Sequence, residues 1–155
     1  VREIPKDLAE FGEKCVKAFE IKERFFHFEF FRLKDGSLYA LEVNCRPPGG
    51  ATIDMFNYAN DFDIFKEYAN LVKDNRFEAE ITRPYHVIYV SRKNHLNYKF
   101  TNEEIKDKYS KELVNIVQIP GVFAKAMGDI GFIMKSPSEK KINEMLKTIA
   151  QRQEA

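Results

Sequence analysis

Residues 26–50 of the chain read FHFEFFRLKDGSLYALEVNCRPPGG, and this stretch decides the predicted fold. Two runs rich in aromatic and aliphatic residues, 25–33 and 38–44, are separated only by Lys34-Asp35-Gly36-Ser37. Asp-Gly between such runs is the strongest short signal for a β-hairpin. The sequence therefore predicts two antiparallel strands joined by a two-residue turn at Asp35-Gly36.

A two-residue turn fixes which residues face each other across the hairpin. Pairing begins at the residues that flank the turn, Lys34 and Ser37, and then puts Glu29 directly opposite Glu42. Side chains alternate faces along a strand, so a fixed register also fixes the face of each side chain. We therefore expect four polar side chains on one face of the hairpin: His27, Glu29, Glu42 and Asn44.

Two carboxylates directly across a strand pair repel each other, and the neighbouring apolar residues predict a largely buried ribbon where water would screen this repulsion poorly. Those apolar neighbours are Phe26, Phe28, Phe30, Phe31 and Leu41. A shared proton, a nearby Arg or Lys, or a divalent cation would compensate the two charges. The oxygen ligands of Glu29, Glu42 and Asn44 favour Mg²⁺, which takes its remaining ligands from water and substrate phosphates. The alternative is a solvated pair, with Arg32 or Lys34 nearby or a bulge separating the two glutamates.

The residues that follow the second strand suit an anionic substrate. Arg46 emerges at the mouth of the same face, where a guanidinium can hold a carboxylate or phosphate by two parallel hydrogen bonds. Gly49 and Gly50 would let the backbone approach a ligand closely, although Pro-Pro-Gly-Gly is also an ordinary turn. We expect His27 to hydrogen-bond a carboxylate and so support the ligands, rather than to bind the metal itself.

The remaining chain mixes helices and short strands, so the predicted fold class is α+β, a largely antiparallel sheet with packed helices. In the C-terminal helix, Ser136 is the expected N-cap, with Pro137 in the first turn and Glu139 completing a capping box. One apolar face is expected there, at Ile142, Met145, Leu146 and Ile149, and another at Ile64, Tyr68, Leu71 and Val72. The predicted helices are Pro5 to Phe19, Ile53 to Ala59, Asp63 to Val72, Thr101 to Tyr109 and the C-terminal helix. The predicted strands after the hairpin are His86 to Val90, Leu113 to Val117 and Ile130 to Lys135. A break is predicted at Pro120-Gly121, between the last two strands.

Composition narrows the function classes. The 155 residues carry 25 Lys+Arg against 24 Asp+Glu, and a net charge of +1 argues against a general role on nucleic acid. No apolar run is long enough to span a bilayer, and no signal peptide is recognisable. Cys15 and Cys45 have no metal-ligand spacing and are expected to be free thiols, which favours the cytoplasm. P-loop, zinc-ligand and nucleophile-elbow motifs are absent. Because the chain starts with Val1, we expect that it derives from a longer polypeptide.

The hairpin resembles the metal-binding hairpin of the ATP-grasp superfamily, which includes biotin carboxylase, carbamoyl-phosphate synthetase and the carboxylate-amine ligases. The family pattern is an acidic residue on one strand, Glu-x-Asn on the next and often an Arg two residues further on, and all four positions are present here. The resemblance implies that Glu29 and Glu42 bridge Mg²⁺ (or Mn²⁺) to the phosphates of ATP. It also implies that Asn44 is a further ligand and that Arg46 is a catalytic residue, which stabilises the transferring phosphoryl group or the substrate carboxylate.

The resemblance implies an ADP-forming ligase that activates a small carboxylate as an acyl phosphate for attack by an amine or similar nucleophile. It places residues 1–80 in the C-terminal part of an ATP-grasp domain and residues 81–155 in a small α+β C-terminal subdomain. Only 28 residues precede Glu29, so the N-terminal ATP-grasp half is an expected partner and this chain alone is expected to be inactive. Apolar surface left without that half could also drive homodimerisation. The alternative is a non-catalytic nucleotide- or metal-binding or assembly module.

Overall fold

The computed structural model describes residues 2–153. Val1 and residues 154–155 lie outside the described residues, and so does the expectation, based on Val1, that the chain derives from a longer polypeptide. Over this range the chain forms two compact units, one of Glu3–Ile53 and Phe62–Ile81, and one of Arg2, Asp54–Asp61 and the residues from Thr82 onwards. Both sheets are antiparallel, so the α+β prediction is confirmed. The elements are α1 (Lys6–Ala18), β1 (His27–Arg32), β2 (Leu38–Asn44), α2 (Thr52–Asn60), α3 (Ile64–Asp74), β3 (His86–Arg92), α4 (Asn102–Lys108), β4 (Leu113–Gln118), α5 (Gly121–Met127), β5 (Ile130–Ser136) and α6 (Glu139–Ala150).

The first unit is built on the hairpin of β1 and β2, and α1 packs on one of its faces. Phe11 of α1 meets Phe30 edge to face with ring centroids 5.2 Å apart, and Phe19 lies 6.3 Å from Phe28. The even-numbered phenylalanines of β1 therefore face the helix. By strand alternation, Glu29 points to the opposite face.

The prediction of a largely buried ribbon is wrong. Within the described chain no residue of β1 or β2 is fully buried, and the side chain of Phe31 is 54% exposed. The helix α1 covers only the Phe28 and Phe30 face, so the other face is open to water. Repulsion between the two glutamates is therefore screened more strongly than the sequence suggested.

The turn also differs from the prediction. The Leu33 N–H donates to the Ser37 carbonyl at 2.9 Å, which closes a three-residue loop, and Lys34 does not pair with Ser37. Gly36 ends this loop at φ 86°, a left-handed conformation that glycine adopts without strain. The Asp35 carboxylate accepts hydrogen bonds from the Ser37 hydroxyl and N–H, which hold the pKa of Asp35 below its ordinary value.

The expected apolar face of α3 is only partly right. Val72 is 70% exposed and Tyr68 is also exposed, whereas Ile64 and Leu71 are half-buried. The buried residue of this helix is Glu67, whose carboxylate accepts a hydrogen bond from the Glu78 N–H at 2.7 Å. Helix α3 thus leaves Phe65 and Val72 exposed, while the Tyr68 ring is partly covered by an edge-to-face contact with Phe25 at 5.3 Å.

The second unit has a three-stranded sheet in the order β3-β5-β4, with α6 packed on β3 and β5. Its side chains form a closed apolar core in which Phe132, Met134, Met145 and Ile149 are inaccessible to water. Tyr109 is buried in the same core, and its hydroxyl donates to Glu144 or Thr148 of α6, at 3.1 and 3.0 Å.

The helix ends in the second unit only partly follow the sequence signals. Thr101 and Glu104 form the predicted capping box of α4. Helix α6, however, begins two residues later than expected. Its N-cap is Ser138 and not Ser136, and the Ser138 side chain accepts the Lys141 N–H. Leu146 is exposed, unlike the other three residues of the predicted face. The sequence reading also missed α5, which starts directly after Pro120.

No helix among residues 2–153 combines the length and the apolar character needed to cross a membrane. Cys15 and Cys45 are free thiols, as expected.

We predict that Gly128→Ala destabilises the second unit by about 2 kcal/mol. Gly128 has φ 90°, and a Cβ at this position would lie 2.8 Å from the Arg92 carbonyl oxygen, which already accepts the Asp129 N–H at 2.8 Å. Urea unfolding followed by circular dichroism measures the change. The matched control is Gly121→Ala in the same segment, where a Cβ meets nothing within 4 Å. Equal midpoints for the two variants would contradict the prediction.

Candidate functional site

The polar residues of the hairpin come together on its open face. Glu29 lies directly opposite Glu42, and His27 lies opposite Asn44. Both glutamates are exposed, whereas His27 and Asn44 are half-buried. The cross-strand pairs predicted from the sequence are therefore present, although the turn that was expected to produce them is not.

A β-bulge reconciles the observed turn with these pairs. Beyond the three-residue loop, Arg32 pairs with Leu38 and Phe30 with Ala40, a register one residue away from the predicted one. The register then shifts between Glu29 and Phe30, where Leu41 is the extra residue of β2. Without this shift Glu42 would lie opposite Phe28 and point to the face that α1 covers. The bulge thus places the second carboxylate beside the first instead of separating them.

A chain of hydrogen bonds fixes the polar side chains at the end of β2. The His27 Nδ1–H donates to the Arg46 carbonyl at 3.0 Å, and the Asn44 Nδ2 donates to His27 Nε2 at 3.1 Å. The same Asn44 amide nitrogen also donates to Glu42 Oε1. His27 was expected to hydrogen-bond a carboxylate. Instead its Nε2 accepts from Asn44, and Asn44 in turn donates to the Glu42 carboxylate. These bonds specify the neutral His27 tautomer that carries its proton on Nδ1.

The orientation of the Asn44 side chain is fixed by this network. An amide carries two N–H donors and one carbonyl oxygen, and here both donors are directed within the protein. The oxygen Oδ1 is thereby left as the free end of the side chain. Asn44 can therefore offer an oxygen beside the two carboxylates.

Nearby cations do not neutralise the glutamate pair. Arg32, which the sequence left open as a compensating charge, is instead bound to Asp7 at 2.6 Å and to the Gly36 carbonyl at 3.0 Å. The hydrogen bond from Arg32 holds the pKa of the Asp7 carboxyl below its ordinary value. Within residues 2–153, no Lys or Arg forms an ion pair with Glu29 or Glu42. The open face thus carries two uncompensated carboxylates.

The donor set of the open face fits a hard divalent cation, but as a partial shell. Among the described residues there is no group of three or more His, Cys, Asp and Glu side chains that could hold a metal ion. The hairpin offers two carboxylates and one amide oxygen, which are the ligand types of Mg²⁺. Water and phosphate oxygens would have to supply its remaining positions.

Arg46 and the two glycines lie just beyond the end of β2. Arg46 is exposed, and its Nη1 donates to the Pro47 carbonyl at 3.0 Å, while its own carbonyl is held by His27. Gly50 has φ 63°, which favours glycine, and a Cβ at Gly49 would meet nothing within 4 Å. The three residues thus form an open, accessible turn next to the carboxylate pair, which other groups could approach.

Known proteins match this chain in structure but not in sequence comparisons. No family model and no curated protein matches the sequence. An L-amino acid ligase from Bacillus licheniformis is structurally similar over 94% of this chain and 40% of its own, with a TM-score of 0.66 and 17% identity. Phosphoribosylglycinamide synthetase from Anaerococcus prevotii is similar over 95% of this chain and 41% of its own, with a TM-score of 0.59 and 13% identity.

Both matched proteins are ATP-grasp enzymes, so the predicted resemblance to that superfamily is confirmed at the level of the fold. The chain spans about two-fifths of the length of the solved chains that it matches.

We predict that Asn44→Ala changes the tautomer of His27. In the native chain the neutral ring carries its proton on Nδ1, because Nε2 accepts from Asn44; without that donor the Nε2–H form becomes populated. Long-range ¹⁵N–¹H spectra of the imidazoles, recorded above the titration range of histidine, distinguish the two forms. His86 and His95 serve as internal references whose patterns stay unchanged. A native His27 protonated on Nε2 would refute the network.

Proposed function

We propose that this chain is the C-terminal metal- and ATP-phosphate-binding portion of an ADP-forming, ATP-dependent carboxylate-amine ligase. The observation that carries the proposal is the open face of the hairpin, where Glu29 and Glu42 oppose each other beside the free oxygen of Asn44. The fold that the chain shares with two ATP-grasp enzymes supports it.

Glu29, Glu42 and Asn44 would hold Mg²⁺ (or Mn²⁺) in this proposal. Bound there, the ion would neutralise charge on the phosphates of ATP, and phosphoryl transfer depends mainly on such charge neutralisation and on positioning. The protein's part in this proposal would be to hold the two carboxylates and the amide oxygen on one face of the hairpin. His27 contributes indirectly, because its hydrogen bonds orient the Asn44 amide and anchor the backbone at Arg46.

Arg46 is the proposed catalytic residue, and Gly49 and Gly50 are proposed to bind phosphate or substrate. An oxygen of the substrate carboxylate would take the γ-phosphoryl group of ATP, with ADP as the leaving group. An amine would then attack the acyl carbon, lose a proton and expel phosphate. A guanidinium beside the reacting oxygens would stabilise the charge that develops on them. Arg46 is exposed and follows the end of β2 by two residues, which would allow that contact.

The N-terminal half of the ATP-grasp domain is the proposed partner. In this view residues 1–80 form the C-terminal part of that domain, and residues 81–155 form a small following subdomain. The chain spans about two-fifths of the matched enzymes, which agrees with a partner of this kind. Phe65, Tyr68 and Val72 on α3 expose apolar surface that such a half would cover. A homodimer would be another way to cover the same side chains.

We predict that Mn²⁺ binds at the hairpin together with ADP. In ¹⁵N spectra of the 155-residue chain, paramagnetic broadening should be strongest for residues 27–46, because they surround the proposed oxygen ligands. Glu42→Gln should weaken Mn²⁺ binding by at least about tenfold, since it removes a charged ligand. Glu29→Gln should act similarly.

The matched control is Glu13→Gln, an exposed carboxylate on α1 of the same unit, which should leave the broadening unchanged. Broadening that is scattered over the chain, or that survives both hairpin substitutions, would favour the solvated pair of glutamates over a metal site.

We predict that a longer protein that carries the N-terminal half releases ADP when supplied with Mg²⁺, ATP and a panel of carboxylates and amines. Arg46→Ala should lower kcat by about 10³-fold or more while leaving Mn²⁺ binding intact, because the residue acts on the transferring group and not on the metal. Metal binding without any ADP release would refute the ligase and favour the non-catalytic nucleotide- or metal-binding module.

A further inference from the structure

The second unit contains a buried arginine whose charge the protein does not neutralise. Arg92, the last residue of β3, is only 3% exposed. Its Nε donates to the Ile149 carbonyl at 2.8 Å, and its Nη1 donates to the Phe100 carbonyl at 2.8 Å and to Asn102 Oδ1 at 3.0 Å. All three acceptors are neutral. The guanidinium thus joins three segments of the unit without meeting a carboxylate.

The second terminal nitrogen of Arg92 is an orphan donor. Nη2 is buried and has no hydrogen-bond partner within the described range, and no Asp or Glu there forms an ion pair with the guanidinium. The Tyr98 ring lies 4.5 Å from the guanidinium carbon, which offsets part of the loss of hydration. Burial lowers the pKa of Arg92, with Tyr98 acting in the opposite direction. Unpaired buried N–H groups on a cation are costly and are rarely retained without an acceptor.

A cavity adjoins this arginine. It has a volume of about 250 Å³; its lining residues include no Asp or Glu, although Asp129 Oδ2 accepts the N–H of the lining residue Asn94 at 2.8 Å. Arg92 and Lys93 bring two positive charges to the lining, with the Lys93 ammonium donating to the Lys125 carbonyl at 2.7 Å, and the side-chain amides of Asn94, Asn97 and Asn102 add neutral hydrogen-bonding groups. The wall is therefore chemically suited to a small anion with several acceptor oxygens.

We propose that this cavity binds a small oxyanion, a carboxylate or a phosphate, which accepts the hydrogen bonds of Arg92 Nη2. The site is separate from the hairpin and does not depend on the proposed ligase function. Because Nη2 is shielded from water, the groups that cover it must move slightly for the anion to reach it. The Tyr98 ring lies 4.5 Å from the guanidinium carbon, and its hydroxyl accepts the Lys93 N–H at 3.0 Å, so the Lys93 amide would report such a movement.

The test is an NMR titration of the 155-residue chain with sodium phosphate and with sodium acetate, each compared with sodium chloride at the same ionic strength. We expect saturable shifts of the amides of residues 93–102 and of the Arg92 Nε–H, with residues 27–46 unaffected. The salt that saturates at the lower concentration identifies the oxyanion class. Shifts that rise linearly and equally with all three salts would overturn the proposal.

Two substitutions test the assigned residues. Arg92→Gln should weaken anion binding by at least about tenfold, because it removes the charged donor. Lys93→Met removes a cavity charge without touching the hydrogen bonds of Arg92 and should weaken binding by about threefold. Lys140→Met, an exposed lysine at the start of α6, is the control and should have no effect.

Anion affinity that is unchanged in a folded Arg92→Gln variant would refute the site. If Arg92→Gln does not fold, Lys93→Met decides, since an unchanged affinity there contradicts the proposed positive wall.

Discussion

The opposition of Glu29 and Glu42 depends on two irregularities of the hairpin that cancel. A three-residue loop shifts the strand register by one residue, and the bulge at Leu41 shifts it back before the glutamates are reached. Because strand side chains alternate with a period of two, either irregularity alone would turn Glu42 onto the face that packs against α1. The polar face and the phenylalanine face are thus specified together, and neither can change its register without disrupting the other.

The electrostatics of the open face follow from this arrangement. Two exposed carboxylates share a cross-strand position, and Arg32, the one Lys or Arg within β1 and β2, is bound to Asp7. Asn44 donates to Glu42, which stabilises that carboxylate without neutralising it. A cation bound at this point would therefore be stabilised by both carboxylates, and the proposed Mg²⁺ would take its remaining ligands from water and phosphate oxygens.

The sequence predicted the elements other than α5 and the cross-strand pairs, but not the geometry that produces those pairs. Asp35-Gly36 indicated a hairpin correctly, yet Gly36 serves as the left-handed end of a three-residue loop. Apolar and polar residues alternate from Leu41 to Asn44 as in a regular strand, so the sequence pattern does not reveal the bulge at Leu41. Pro120-Gly121 indicates a break between two strands, but the same pair also begins α5, with Pro120 as its N-cap. The buried Arg92 was not foreseen, because its acceptors come from two segments distant along the chain, residues 100–102 and Ile149, and burial of this kind is a tertiary property.

The two units are stabilised in different ways, and this difference bears on function. The second unit encloses an apolar core of strands and helices, whereas the buried residues in the described part of the first unit are Ile53 and Glu67. Burial of apolar surface is the main source of folding free energy, so the first unit draws less of its stability from an enclosed core than the second unit does. The hairpin does not depend on a large apolar core for its register, because a turn, a bulge and a hydrogen-bonded network within the hairpin and the residues that follow it set that register. The polar side chains of the open face are therefore held by local contacts.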